Sequence, residues 1–231
     1  RAVHRQSADG ECPREGGGLR MSGRGPRWIQ KISRGTTLGD IELGTLVKLN
    51  VGGAPENFYV ACHNYESSLN GNGLTLLVKK LCTANIAFST GLNTYANGPL
   101  DNYLNDEFLQ SLDRDIIGKI VSTKFYYTPG DTYKDVVVLQ RKVFQPSSTE
   151  FGFSVYNTNT EGTALPIAET LRGTETAQWT RTPYLANNKY VISITDYGAA
   201  RYNTNATERL GSRPSLALPA DTIVGEDMLI V

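Results

Sequence analysis

From about residue 38 onward, apolar residues fall into short runs cut by turn formers, a spacing that suits strands better than long helices. Ile41 to Leu49 alternates apolar and polar positions in part, and Gly52-Gly53 follows it. Asn57 to Cys62 forms a second run, and Leu74 to Val78 a third, behind Asn70-Gly71-Asn72-Gly73. Asn-Gly steps supply the positive φ of tight hairpin turns, so the three runs are predicted as antiparallel strands. Then the period changes. Leu104, Phe108, Leu109 and Leu112 recur at helical spacing behind Asp101 and Asn102, the candidate N-caps. Ile116, Ile117, Ile120 and Val121 continue as a second helical or irregular segment. Val136 to Leu139 reads as a buried strand and Tyr190 to Ile194 as another. Residues 145–178, rich in Ser, Thr, Gly and Pro, are expected as a long loop that either wraps the core or carries function.

Charge divides the chain. Residues 1–36 hold eight basic and three acidic side chains, a net +5, with seven glycines and no apolar periodicity. The other 195 residues carry −5, so the total is zero. The front segment is predicted to be a flexible Arg/Gly-rich arm, since it cannot bury enough surface to offset its ordering entropy. It reads as a solvated tail or processed leader, or as an arm that contacts nucleic acid or a partner subunit. Residues 37–231 read as one α+β domain with antiparallel strands, one or two helices and long loops. No apolar stretch approaches the roughly 18 residues of a membrane span, so no membrane insertion is expected.

Candidate chemistry is sparse. The two histidines are His4, in the arm, and His63, beside Cys62. Neighbours in a strand point to opposite faces, so Cys62 and His63 do not make a nucleophile–base pair, and His63 is expected to be structural. Cys62 and Cys82 read as buried small hydrophobes, and Cys12 lies in the arm. Asp106-Glu107, Asp113-Arg114-Asp115 and Glu226-Asp227 sit in polar surroundings and read as solvated surface. No phosphate-binding or dinucleotide fingerprint is present, while Asn205-Ala206-Thr207 fits a glycosylation sequon. No catalytic residue, metal or cofactor is expected.

The C-terminal quarter has a composition of its own. Between Gln178-Trp179-Thr180-Arg181-Thr182-Pro183-Tyr184 and Leu210-Gly211-Ser212-Arg213-Pro214-Ser215-Leu216 lie Tyr184, Asn187, Asn188, Tyr190, Asp196, Tyr197, Arg201, Tyr202, Asn203 and Asn205. Tyr supplies stiff amphipathic contact area, and Asn and Ser supply adaptable hydrogen bonds, as in antibody paratopes. Turn-forming loops have a similar composition.

The two flanking motifs resemble those of a C-type-lectin-like family of bacteria and phages. Its C-terminal signature runs Trp-Leu-Arg-Ser/Thr-Pro and then Gly-Val-Arg-Pro-Ala-Leu. Thr180, Ser212 and Ser215 depart from it. The resemblance extends over about residues 38–225, through Ile41 to Lys48, Asp101 to Leu112 and Val136 to Phe144. It implies a C-type-lectin-like fold, and some members are variable proteins of diversity-generating retroelements, whose randomised codons fill with Asn, Tyr, Ser, Asp and Thr. By that resemblance the ten Tyr/Asn-rich residues would be a variable, ligand-binding face, with Trp179, Arg181, Arg213 and Pro214 as scaffold. The Glu-Pro-Asn, Gln-Pro-Asp and Trp-Asn-Asp motifs of calcium-dependent lectins do not occur. The implied protein is a phage virion component at the tail or capsid surface that binds a host cell-surface protein or glycan, expected to be a homo-oligomer. The alternative is a decoration protein that contacts other virion proteins through the arm and loops.

Overall fold

The computed structural model describes residues 35–173 and 176–231, which fall within the second of the chain's two units, Lys31–Val231. The arm expected over 1–36 lies outside the described residues except for Gly35 and Thr36, as do His4 and Cys12.

The first strands are β1 (Leu46–Val51), β2 (Ala54–His63), β3 (Leu74–Lys79) and β4 (Asn85–Ala87). β5 (Thr123–Tyr127), β6 (Val137–Arg141) and β7 (Val143–Phe144) occupy the middle. β8 (Gln178–Pro183), β9 (Tyr190–Ile194), β10 (Ala200–Asn205), β11 (Arg209–Gly211) and β12 (Ser215–Pro219) follow. They assemble into a five-stranded sheet ordered β1-β2-β3-β12-β7, a second ordered β10-β9-β8-β11-β4, and the separate ribbon β5-β6. The short helices are α1 (Ser67–Asn70), α2 (Pro99–Tyr103), α3 (Leu109–Ser111), α4 (Arg114–Lys119) and α5 (Ala168–Arg172). The fold is α+β, dominated by strands.

The first three strands pair antiparallel, β1 with β2 through Gly52-Gly53, whose φ values of 61° and 82° are the reason for the two glycines. Two details differ from the sequence pattern. Ile41 to Gly44 is not strand; a 3₁₀ turn, Leu38–Asp40, precedes it, and Ile41 is buried in the core. The β2–β3 connection is also longer than an Asn-Gly turn, because α1 is built into it. In the helical middle, Asp101 and Asn102 are not N-caps. The cap is Gly98, with Pro99 at the first helical position, where its missing N–H costs nothing. Asp101 is instead buried in the first turn and ion-paired with Arg141 at 2.8 Å. Between α2 and α3 the helix widens into a π turn, Leu104–Phe108, whose Leu104 and Phe108 are buried.

Val136 to Leu139 contains a strand, but one that is exposed. Val136, Val137 and Val138 are 37%, 41% and 46% accessible, because β6 is the outer strand of a two-stranded ribbon and lies in neither large sheet. The buried pair is the next one, Val143 and Phe144. Cys62 and Cys82 are half-buried, not sealed in the core.

The region 145–173 wraps the core. Gln145, Ser147, Ser148, Glu150, Phe151 and Glu161 are all buried, and the segment carries only one short helix, α5. Backbone that runs inside without a sheet must find its hydrogen bonds elsewhere. It finds them largely on side chains, and one arginine is central.

Candidate functional site

That arginine is Arg181, on β8, and it is fully buried. Its Nη1 donates to Glu150 Oε2 at 2.6 Å and to the Gln145 carbonyl at 3.1 Å. Its Nη2 donates to Glu150 Oε1 at 3.1 Å, and Nε and Nη2 both reach the Tyr126 carbonyl, at 3.0 and 2.8 Å. The guanidinium also lies 4.7 Å over the Phe125 ring. Burial alone would favour the neutral guanidine, but the Glu150 charge and its hydrogen bond, with Tyr65 and Glu161 nearby, hold the pKa above its ordinary value. Tyr65 donates a hydrogen bond to Glu150 Oε1. Glu161 accepts from the Thr128 N–H at 2.7 Å and the Thr182 hydroxyl at 2.6 Å.

Arg213, just after β11, is equally buried and ties the two large sheets together. Its Nε donates to Gln178 Oε1 on β8 at 2.7 Å, and its Nη1 to the Lys79 and Lys80 carbonyls at the end of β3, at 3.0 and 2.7 Å. Gln145 joins both arginines. Its carbonyl takes Arg181, its Oε1 takes the Arg213 N–H at 2.8 Å, its Nε2 donates to the Trp179 carbonyl at 2.6 Å, and its N–H donates to the Tyr95 hydroxyl at 3.0 Å. Trp179 is buried, 5.5 Å from the Phe88 ring, and its Nε1 donates to the Ile86 carbonyl at 2.7 Å. Pro214 is buried beside Arg213. Gln145, Glu150, Glu161 and Tyr65 have no local pattern that marks them; each is identified by a partner distant in sequence. His63 sits between Thr75 Oγ1 and the Ile41 carbonyl, both at 3.0 Å. The carbonyl can only accept, so Nε2 carries the proton and the ring is a cross-brace.

The polar, aromatic residues lie outside this frame. Asp196, Tyr197, Arg201, Tyr202 and Asn203 are exposed, with Tyr197 at 80% and Tyr202 at 57%. Asn187 and Asn188 are exposed, while Tyr184, Tyr190 and Asn205 are half-buried. Display does not come from alternation along β9. Val191 to Ile194 are buried on both faces, because β9 is an inner strand between β8 and β10. The display belongs to edge strand β10, which bulges between Arg201 and Thr204, and to the β9–β10 turn. That turn needs Gly198 at φ 86° and carries Asp196 and Tyr197 at its tip.

The ten residues form a strip, not one cluster. Tyr184 and Tyr202 rings are 5.7 Å apart, and Arg201 Nε reaches Asn203 Oδ1 at 3.3 Å. The tip residues are separated from Tyr190 and Asn205 by the length of β10, roughly 16 Å. Three asparagines are engaged in holding turns. Asn187 Oδ1 accepts the Lys189 N–H at 2.9 Å, Asn188 Nδ2 donates to Asp131 Oδ1 at 2.9 Å, and Asn205 Oδ1 accepts the Thr207 N–H at 3.1 Å. Asn93, which no motif marks, fixes the 184–190 turn: its Nδ2 reaches the carbonyls of Tyr184, Asn187 and Tyr190 at 3.1, 3.2 and 3.0 Å. At the tip, Asp196 and Tyr197 border a cleft of ≈ 620 Å³ that is also lined by Tyr59, Lys80, Leu81 and Arg213. Asp196 and Arg201 line a second groove of ≈ 380 Å³ beside it.

Asp106, Glu107, Asp113, Asp115, Glu226 and Asp227 are all exposed, and Asn50 Nδ2 donates to Asp113 Oδ2 at 2.7 Å. Among the described residues no group of three His, Cys, Asp or Glu side chains is placed to hold a metal ion, and no helix is long and apolar enough to cross a membrane.

Residues 72–220, from the turn before β3 to the residue after β12, match the model of a family described as "Domain of unknown function (DUF6273)". The chain belongs to that family. The match covers the whole arginine frame of β8 and β11–β12, the 145–173 wrap and the β9–β10 strip, well over half of the 231 residues. No curated protein and no solved structure matches the chain.

Proposed function

We propose that this DUF6273 domain is a recognition module with a C-type-lectin-like framework, which presents the β10 strip and the β9–β10 tip to a ligand. The observation that carries the reading is the contrast in exposure within one sheet. Large polar aromatic side chains, Tyr197 and Tyr202, stand in solvent with Arg201 and Asn203 at the β10 edge and the β9–β10 tip, while β8, two strands in, has all its residues buried. Exposed Tyr and Arg on a rigid support provide contact area without a large ordering cost on binding. The cleft beside Asp196 and Tyr197 offers a recess that a projecting sugar or side chain can enter.

The resemblance at the Trp179 and Arg213 motifs supplies the setting: a virion surface protein, at the capsid or tail, whose variable face contacts a host-surface protein or glycan, with no catalytic step. The test is binding of the full chain to a panel of whole bacterial cells and to an array of their surface glycans. Retention is expected for the wild type and loss for the combined Tyr197→Ala, Arg201→Ala, Tyr202→Ala variant. Equal retention of the two would remove the strip from the binding surface. At the encoding locus, a reverse transcriptase with a near-copy of codons 184–216 is expected; finding neither favours the decoration role.

A further inference from the structure

Among the described residues, β6 leaves one row of backbone groups without a neighbouring strand. On its inner side it pairs with β5, Thr123 opposite Arg141, Phe125 opposite Leu139 and Tyr127 opposite Val137. The phase of that ladder follows from β5. The Tyr126 carbonyl faces Arg181, and Asn70 bonds both the N–H and the carbonyl of Lys124, at 2.9 and 2.8 Å. Lys124 and Tyr126 therefore turn away from β6, and Thr123, Phe125 and Tyr127 hold the ladder. Their partners alternate with Val138 and Gln140, whose N–H and C=O must point outward. Among the described residues the one hydrogen bond on that side is from Arg141 Nη1 to the Gln140 carbonyl, 3.0 Å.

Sheet edges are ordinarily blunted by charge, proline, a bulge or a covering segment. β1 is covered by the C-terminal stretch, through Lys48 N–H to the Met228 carbonyl at 2.8 Å and Ile230 N–H to the Lys48 carbonyl at 3.0 Å. β10 is bulged and charged. β6 is regular and opens with exposed valines, next to Tyr133, which is 73% accessible.

We propose that β6 is where two copies of this chain join, antiparallel about a twofold axis at Val138. The occupant is argued from self-complementarity. Outward-pointing residues pair with outward-pointing residues, so Val138 meets Val138 of the partner subunit and Gln140 meets Val136 of the partner subunit. On the alternate positions Val137 meets Leu139 of the partner subunit, an apolar pair. Asp135, exposed and in no salt bridge among the described residues, falls opposite Arg141 of the partner subunit; that guanidinium keeps its pair with the buried Asp101 at 2.8 Å, so Asp135 adds a second, outer carboxylate to it, and symmetry makes that contact twice. Lys142 falls opposite Lys134 of the partner subunit, and its Nζ is drawn back to the Ile117 carbonyl at 3.0 Å. The two ribbons become one four-stranded sheet, β5-β6-β6-β5, and the valine edge leaves solvent.

A four- to five-residue edge is small beside the ~1,600 Å² of a standard interface, so the dimer should be concentration-dependent, forming in the micromolar range. Sedimentation equilibrium of the full chain across that range is the test. Val138→Lys sets two ammonium groups face to face at the axis, and Val138→Pro removes an outward N–H that β5 does not use. Each should weaken dimerisation by about tenfold or more, with the denaturation midpoint of the monomer held. Amide exchange at Val138 and Gln140 should slow as concentration rises in the wild type alone. A wild type that stays monomeric, a Val138→Lys variant that dimerises as well as wild type, or an edge that pairs only with a strand from another protein would overturn the proposal.

Discussion

Arg181 and Arg201 carry the same group in the same sheet, two strands apart, and live in opposite conditions. The first is fully buried, and all three of its nitrogens donate to protein acceptors; the second is exposed, with Asn203 at 3.3 Å and Glu208 at 3.9 Å. A buried guanidinium must find an acceptor for every N–H, because each unpaired one carries its full desolvation cost. Satisfying Arg181 therefore dictates where Tyr126, Gln145, Glu150 and Glu161 sit, and with them the path of a wrap that has little regular structure. Arg201 dictates nothing, since water completes its shell and a surface pair at that distance is worth little. The teaching is a division of labour within one sheet: shape is set from the inside, so outer residues can change without moving the frame.

The largest way to break this contrast is to remove Arg181. Arg181→Met leaves Glu150 buried with Tyr65 as its remaining side-chain partner and should cost about 3–5 kcal/mol in urea denaturation. Adding Glu150→Gln to it should recover part of the loss, since a lone buried charge is worse than none. Arg201→Met should stay within about 0.5 kcal/mol of wild type. Comparable losses for the two would dissolve the distinction.

The frame was only half legible in the sequence. Trp179, Arg181 and Arg213 stand in short distinctive motifs, and the hairpin of β1 and β2 announces itself through Gly52-Gly53. Their partners do not. Glu150 and Glu161 sit in a polar stretch with no period, and only the fold brings them, from 31 and 20 residues away, to Arg181. Val136 to Val138 misleads for a related reason: apolar β-branched residues signal a strand, but burial is decided by what packs on it, and among the described residues no sheet or helix covers these valines. The strip was readable in composition but not in geometry, because an inner strand such as β9 buries both faces whatever its alternation.

A subtler test of the interior uses pH. Burial pushes the Glu161 carboxyl above the ordinary glutamate value near 4.5, with Arg181, Thr182 and Thr128 pulling it part of the way back. A folded pKa above the unfolded one means that the protonated form is favoured in the fold. The stabilising contribution is complete below the unfolded pKa and is lost as pH rises through the folded value. Glu161→Gln titrates nothing at this position, so the gap between variant and wild type should move in the variant's favour from about pH 4 to pH 7. Glu66 shifts in the same direction, from burial and then Glu150, but is present in both proteins and cancels. A gap that moves the other way would mean that the Arg181 field, not burial, governs Glu161.

The smallest effect sharpens the outer half of the comparison, because the strip is not uniform. Tyr202 packs its ring 5.7 Å from Tyr184 at an interplanar angle of 38°, whereas Tyr197 stands at the hairpin tip with no ring partner among the described residues. A tilted aromatic pair contributes about 0.5–1.5 kcal/mol beyond its burial, less where water reaches both rings. Tyr202→Ala should therefore lower stability by roughly 0.5–1 kcal/mol, and Tyr197→Ala should be silent within about 0.5 kcal/mol. Thermal melts of the two variants measure the difference. It matters because, in the recognition role proposed above, a residue that costs nothing to change is free to vary, and by that criterion the tip, where Asp196 and Tyr197 border the larger cleft, has more freedom than the middle of β10. Equal losses would mean that the tip is braced as well, and the freedom to vary would then have to be sought at Arg201 and Asn203.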